Sequence, residues 1–322
     1  MALRAPTVSV IVPVLDAGTC LSEALMSLRA QTFGDFEIVI VDDGSTEPRT
    51  LEELARASAL GARVLRLPHG GVVAARNRGI AEAAGEYLCF FDADDRMRPS
   101  LLARCVGRLR AAPALAFVSF WVRLFGDESW EWQPEACDLT ALLGDCTVAT
   151  AALVRRDVVR AVGGFDAAME RGHEDWDLWL RIVAAGHAGE ILPEVLFDYR
   201  RRAGSRSTVA DRDANYVALL GARLDRHGAQ LDAHAAALLL RRDREIGERL
   251  RRLADAAGLP AEEAALEARA ALLEERRRHA EDAVIAARDR AWADGQTLRS
   301  SVSWRLTAPL RRGWSLLSRG GR

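Results

Sequence analysis

Most of the side chains in this sequence that could do chemistry sit in a few short acidic clusters. Asp16 follows Pro13-Val14-Leu15, Asp42-Asp43 opens the turn-like Asp42-Asp43-Gly44-Ser45, and Asp92-Ala93-Asp94-Asp95 sets three carboxylates within four positions. Carboxylates gathered in one place repel each other and destabilise a fold unless hydrogen-bond donors or a cation compensate. On an extended segment Asp92 and Asp94 point to the same side. Both can then reach one metal ion, or one can hold a ligand while the other holds the metal. Oxygen ligands select a hard ion, Mg²⁺ or Mn²⁺, over zinc. A further acidic group, His173-Glu174-Asp175-Trp176-Asp177, lies beyond Gly163-Gly164-Phe165-Asp166. Each cluster has a plainer alternative. Asp-Asp-Gly-Ser is also an ordinary turn and helix cap, acids in the first turn of a helix favour its macrodipole, and a single histidine beside a loop is often structural.

The elements that must position these groups are legible in the hydrophobic pattern. Val8 to Val14 and Glu37 to Val41 are short β-branched apolar runs, the pattern of strands covered on both faces of a parallel sheet. Between them Leu21, Leu25 and Leu28 recur at helical spacing. The alternation continues with a helix near Glu52 to Leu60, a strand at Arg63 to Leu67, a helix at Val72 to Ala84 and a strand at Tyr87 to Phe91. Strands separated by such helices predict right-handed βαβ crossovers and a doubly wound sheet. Ligands of open α/β sheets bind at the carboxyl ends of the strands, and the first, second and fourth strands run straight into the three acidic clusters. After Pro99 the pattern loosens. Apolar segments at Leu115 to Val122 and Thr147 to Val154, with Trp121, Trp130 and Trp132 nearby, read as mixed strands and loops that complete the sheet and shape a pocket.

Composition removes several function classes. Forty-four basic against forty-six acidic residues give a formal charge of -2, which argues against nucleic-acid binding as the main task. The basic residues are all arginine, and the absence of lysine excludes Schiff-base and P-loop mechanisms. Five cysteines with no CxxC spacing indicate neither a disulfide framework nor a zinc site and suit a reducing cytosol. The apolar run near the start contains Pro13 and meets Asp16 at once, a poor signal peptide. No apolar stretch approaches the roughly 20 residues of a membrane span. The expected location is the cytoplasm, including the inner face of its membrane.

Four segments, VSVIVPVLDAG, AQTFGDFEIVIVDDGST, GGVVAARNRGIAEAAGEYLCFFDADD and GGFDAAMERGHEDWDLWLRI, resemble the family 2 glycosyltransferases of the GT-A fold. The likeness runs over about residues 7–205. It implies a doubly wound mixed sheet, a nucleotide-diphosphate sugar lying across the strand ends and a glycan or lipid-linked glycan as acceptor. Pro13, Val14, Asp16 and Asp43 would hold the base, with Asp43 accepting a hydrogen bond from a ring N–H. Arg76 and Asn77 would approach the donor, Asp92 would touch the ribose or the metal, and Asp94 would bind Mg²⁺ or Mn²⁺ bridging the diphosphate, as in the family's DXD motif. Asp175 would take the acceptor proton in an inverting displacement, with Glu174 and His173 beside it. Two departures stand out. Leu15 and Asp16 occupy places where many relatives carry an aromatic residue and Asn, and Arg202 replaces a histidine common near the end of the catalytic region. A guanidinium there pairs with phosphate oxygens bidentately.

The charge balance divides the chain further. Residues 1–200 carry 20 arginines against 29 acids, and residues 201–322 carry 24 against 17. The expected organisation is a GT-A domain at 1–226, a helical hairpin or coiled coil at 227–294 and a basic amphipathic tail at 295–322. The helical region offers a route to a homo-oligomer. In the tail, Val302, Leu306, Leu310, Trp314 and Leu317 form an apolar stripe among six arginines, the composition of a helix lying on a membrane surface. Two rival functions remain. One is a non-catalytic oligomerising scaffold built on a degenerate transferase domain. The other is a nucleotidyltransferase, although that class would show a Gly-rich basic loop where this chain has Pro13-Val14-Leu15-Asp16.

Overall fold

A computed structural model of the chain describes residues 5–170 and 172–202. The predicted helical region at 227–294 and basic tail at 295–322 lie outside the described residues. The first half follows the alternation read from the sequence: β1 (Val8–Val14), α1 (Gly18–Arg29), β2 (Phe36–Asp42), α2 (Pro48–Ala59), β3 (Arg63–Arg66), α3 (Gly71–Glu82) and β4 (Tyr87–Phe90). Strands β1 to β4 pair in parallel in the order β3-β2-β1-β4, so the acidic clusters after β1, β2 and β4 emerge at one edge of the sheet. Helices cover both faces. Val8, Val10, Val12 and Val14 pack with Leu21, Leu25 and Leu28 of α1 on one side, and Ile11 packs with Val73 and Ile80 of α3 on the other. A Cβ on Gly79 would run into the Ile11 side chain, so this glycine sets how closely α3 lies on the central strand.

The second half is more irregular. It holds β5 (Arg96–Met97), α4 (Leu101–Ala111), β6 (Leu115–Gly126), β7 (Glu131–Trp132), α5 (Leu139–Gly144), β8 (Leu153–Arg155), α6 (Arg156–Ala161), a short 3₁₀ turn at Ala167–Met169, α7 (Glu174–Ala184) and β9 (Ala188–Arg201). These strands extend the sheet as β4-β8-β6-β9-β5, with β7 beside β6, and the pairings of β4 with β8, β6 with β8 and β5 with β9 are antiparallel. The sheet is therefore mixed, as expected of the fold.

Three features differ from the sequence reading. The apolar segment Thr147 to Val154 is strand only from Leu153 onward. The residues before it form a buried loop, held in part by the Ala149 amide donating to Ser119 Oγ at 3.1 Å. Helix α4 is absent from that reading, although Leu101, Leu102, Cys105, Val106 and Leu109 form its buried face at helical spacing. Strand β9 is absent from it too, because Pro193 and charged residues mask the strand. Its Glu190 and Glu194 reach across to Arg108 and Arg104 of α4, with Arg108 Nη2 2.6 Å from Glu190 Oε2.

Candidate active site

The end of β2 is organised by its own aspartates. Asp42, fully buried, accepts from the Ser45 amide at 2.9 Å and closes the turn. Asp43 reaches into the loop after β3. Its Oδ1 accepts from the Gly70 amide at 2.8 Å, and its Oδ2 accepts from the Gly71 amide at 2.9 Å and from His69 Nδ1 at 2.8 Å. Asp43 is 3% exposed. These bonds fix the Gly70-Gly71 turn that starts α3, and they occupy Asp43 Oδ1, the atom type expected to accept a base N–H, with a single donor. Gly71 has φ 86°, in the left-handed region that favours glycine.

The end of β1 is stapled to the same turn. The Asp43 amide donates to Val14 O at 2.8 Å, and the Asp16 amide donates to Ser45 Oγ at 3.0 Å. Asp16 itself, at φ 43°, accepts from the Thr46 and Glu47 amides at 2.8 Å each. Those two backbone bonds lower its pKa from the ordinary aspartate value. Pro13 is half-buried and Val14 is buried, while Leu15 stands exposed.

The third cluster is compensated by arginines from distant parts of the chain. Arg76 on α3 donates to Asp92 Oδ1 at 2.7 Å and to Glu174 Oε1 at 2.8 Å, and it is 2% exposed. Burial works against its charge, but Asp92, Glu174 and Asp175 together outweigh burial and push its pKa up. Its planar fork is the group that can satisfy two carboxylates at once. Arg76 thus joins the end of β4 to the start of α7, in contact with Asp92. Asn77 also turns inward. Its amide nitrogen donates to Phe165 O at 2.8 Å, and its Oδ1 accepts from the Phe165 amide at 2.9 Å.

Arg202 donates to Asp94 Oδ2 at 2.6 Å. Arg200 donates through its amide to Asp95 Oδ1 and through Nε to the Asp94 carbonyl, both at 2.7 Å. Burial, then the charge of Asp92, raises the pKa of Asp94, with Arg202 pulling the other way. Buried Asp95 is pushed well above the ordinary value by burial and then by Asp94 and Asp92. The cluster therefore favours added positive charge, the condition a divalent cation meets. Among the described residues no group of three or more His, Cys, Asp or Glu side chains is arranged to hold a metal. Asp92 and Asp94 supply carboxylate oxygens, the ligand type a Mg²⁺-type ion takes.

Opposite this cluster, α7 begins at Glu174 with His173 in the left-handed conformation at φ 62° as its N-cap. Asp175 Oδ1 accepts from the Trp176 amide at 2.8 Å, and its Oδ2 accepts from Thr150 Oγ1 at 2.5 Å. Trp176 is buried, donates to Leu142 O at 2.6 Å and meets the His173 ring edge-on at 5.7 Å. Asp175 itself is half-buried, and its carboxylate is oriented by these two bonds. Sequence reasoning missed three members of the site. They are His69 beside Asp43, Thr150 beside Asp175, and Arg200 beside Asp94 and Asp95.

A mixed sheet with carboxylates gathered at one edge and an acidic helix start facing them is the architecture of a GT-A sugar-nucleotide fold. S. aureus TarS residues 1–349 in complex with UDP-GlcNAc shares that fold, at a TM-score of 0.55 and 21% identity over 63% of this chain and 61% of that one. Residues 9–163 match the family described as Glycosyl transferase family 2. The chain is 30% identical over 216 residues to the PGL/p-HBAD biosynthesis glycosyltransferase of Mycobacterium tuberculosis, covering 66% of this chain and 83% of the relative. It therefore belongs to glycosyltransferase family 2. It is also 29% identical over 229 residues to the O-antigen biosynthesis protein RfbC of Myxococcus xanthus, covering 64% of this chain and 16% of that far longer relative.

Proposed function

We propose that the protein transfers a sugar from a nucleotide-diphosphate donor to a hydroxyl of a glycan or lipid-linked glycan, with inversion at the anomeric carbon. The observation that carries this reading is the Arg76 bridge. It holds Asp92, at the donor end of the sheet, and Glu174, next to Asp175, in one ion-pair network although they lie far apart in sequence. An acid cluster suited to a diphosphate and a carboxylate suited to a proton thus share one frame.

In this mechanism Asp175, aligned by Thr150 and the Trp176 amide, accepts the proton of the acceptor hydroxyl as its oxygen attacks the anomeric carbon. The bond from that carbon to the diphosphate oxygen breaks, and the electron pair leaves with the diphosphate. Asp94 and Asp92 would hold Mg²⁺ or Mn²⁺, which when bound supplies positive charge beside the diphosphate. Arg202, paired with Asp94, would move onto the diphosphate and neutralise it bidentately. His173, as the N-cap of α7, fixes the start of the helix that carries Asp175.

The donor and acceptor classes accord with the relatives, whose printed names refer to biosynthesis of O-antigen and of PGL/p-HBAD. The division at 226 and 294, an oligomer formed through 227–294 and attachment of 295–322 to the cytoplasmic face of a membrane belong to the same proposal. Among the described residues no helix is long and apolar enough to cross a membrane.

The test is transfer by the purified protein from a panel of nucleotide sugars with Mn²⁺ or Mg²⁺. Asp175→Asn is expected to lower turnover by about 10²–10⁴-fold with the fold intact. Asp94→Ala is expected to lose metal-dependent activity. Full activity in both variants would overturn the assigned roles. For the tail, equal sedimentation with anionic vesicles by the full chain and a chain ending at Asp294 would remove it as the anchor.

A further inference from the structure

We propose that Glu23 on α1 is a positioning residue for the carboxylates at the end of β4: through Arg96 and Arg200 it fixes the turn at residues 92–95 and so sets how tightly Asp94 binds a divalent cation. The inference rests on the metal-dependent reading above and extends it to a helix that carries none of the expected site residues.

Glu23 and Ser27 on α1, with Gln31 just beyond its end, recur every four positions and meet three successive residues of the chain that follows the acid turn. Ser27 Oγ accepts from the Met97 amide at 3.1 Å, and Gln31 Nε2 donates to the Arg98 carbonyl at 2.8 Å. Those two contacts hold main chain. Glu23 instead holds side chains: Arg96 donates to its Oε2 from Nη2 and from Nε, the latter at 3.1 Å, and Arg200 of β9 donates from Nη2 to the same oxygen at 2.5 Å. Both guanidiniums also lie over the Phe125 ring, their central carbons 4.7 and 4.5 Å from its centroid. Two like charges on one ring repel each other, and the carboxylate oxygen they share offsets that repulsion.

The two arginines bracket the acid turn. Arg96 follows Asp95 directly, and β5 pairs it with Asp198 of β9. Arg200 crosses the turn, with its amide on Asp95 Oδ1 and its Nε on the Asp94 carbonyl oxygen, both at 2.7 Å, and its side chain is only 14% exposed. The Asp94 carboxylate itself is held by a different group, Arg202. Main chain and carboxylate are therefore anchored separately, so departure of Arg202 leaves the backbone of the turn in place. Asp94 then meets a cation from a turn that is already fixed. Outer-shell partners of this kind, once removed, typically cost about 10–100-fold in metal affinity.

Titration of the full chain with Mn²⁺ alone, followed by the electron paramagnetic resonance signal of the free ion, tests this. Wild type is expected to bind Mn²⁺ at a site that Asp94→Ala removes. Glu23→Gln, close in shape and half-buried, is expected to weaken that binding about tenfold. Arg200→Met separates position from charge. Removing a cation beside the acids would by charge alone tighten Mn²⁺ binding, whereas loss of the brace weakens it, again about tenfold. The double variant is expected to bind no more weakly than either single one, because both break the same link. Unchanged binding in Glu23→Gln, tighter binding in Arg200→Met, or losses that multiply in the double variant would overturn the role of Glu23 and leave the transferase reading standing. If wild type binds no Mn²⁺, or Asp94→Ala binds it equally well, the metal role of Asp94 fails and the positioning role fails with it.

Discussion

Two of the three acidic strand ends are neutralised in opposite ways. At the end of β2, Asp42 and Asp43 are satisfied by neighbouring turns, through the Ser45, Gly70 and Gly71 amides and His69. At the end of β4, Asp92, Asp94 and Asp95 depend on Arg76, Arg202 and Arg200, and the last two arrive more than a hundred positions later in the chain. Backbone amides cannot leave without unmaking the turn. Arginine side chains can swing away when a better cation or a phosphate enters. The β2 end is therefore fixed by backbone, whereas the β4 end is held by side chains, the condition under which the proposed ligand could take the place of Arg202.

Arg76 is the exception at the β4 end, because it is buried and holds two carboxylates. Arg76→Met should therefore be more damaging than any single change to the acids around it. It leaves Asp92 and Glu174 without their shared counter-charge and is expected to lower unfolding stability by about 3–5 kcal/mol, read by urea denaturation. A variant as stable as wild type would show that the bridge does not hold the two ends together.

Asp43→Ala and Asp94→Ala set the two strand ends against each other directly. Removing Asp43 strips the acceptor from two backbone amides, with an expected loss of about 2 kcal/mol. Removing Asp94 breaks only its pair with the half-exposed Arg202, and the expected change in stability is less than about 1 kcal/mol. It also relieves the like charge on Asp92 and Asp95. Denaturation curves of the two variants side by side check the contrast. Equal losses would mean that both ends are structural.

The same contrast governs how much is legible in the sequence. Strands β1, β2 and β4 can be read there because strands buried on both faces need uninterrupted Val, Ile and Phe, and Asp-Asp-Gly-Ser announces its own turn. The compensation of Asp92 cannot, since nothing local in Ala75-Arg76-Asn77 says that the guanidinium faces inward between residues 92 and 174. Arg76 and Asn77 are expected near the donor from the family likeness, and the contacts both make to Asp92, Glu174 and Phe165 have no local signature. Helix α4 is within reach of the spacing of Leu101, Cys105 and Leu109. Strand β9 is not, because its outward charges are matched by arginines on α4, a pairing visible only once both elements are placed.

The smallest expected effect comes from Asp16, which holds the two turns together by backbone bonds at the surface. Its pKa is lowered by the Glu47 amide and then the Thr46 amide from the ordinary 3.8. A carboxylate whose folded pKa lies below its unfolded one binds fewer protons in the native state. Its contribution is thus fully present above about pH 4 and is lost as the pH falls through the folded value. Urea midpoints of wild type and Asp16→Ala, measured from pH 7 down to about pH 3, should show a gap that is constant at first and closes at the acid end. A gap that stays open at low pH would mean that the neutral side chain still accepts both amides. The β2 turn would then owe its rigidity to hydrogen-bond geometry alone and not to charge.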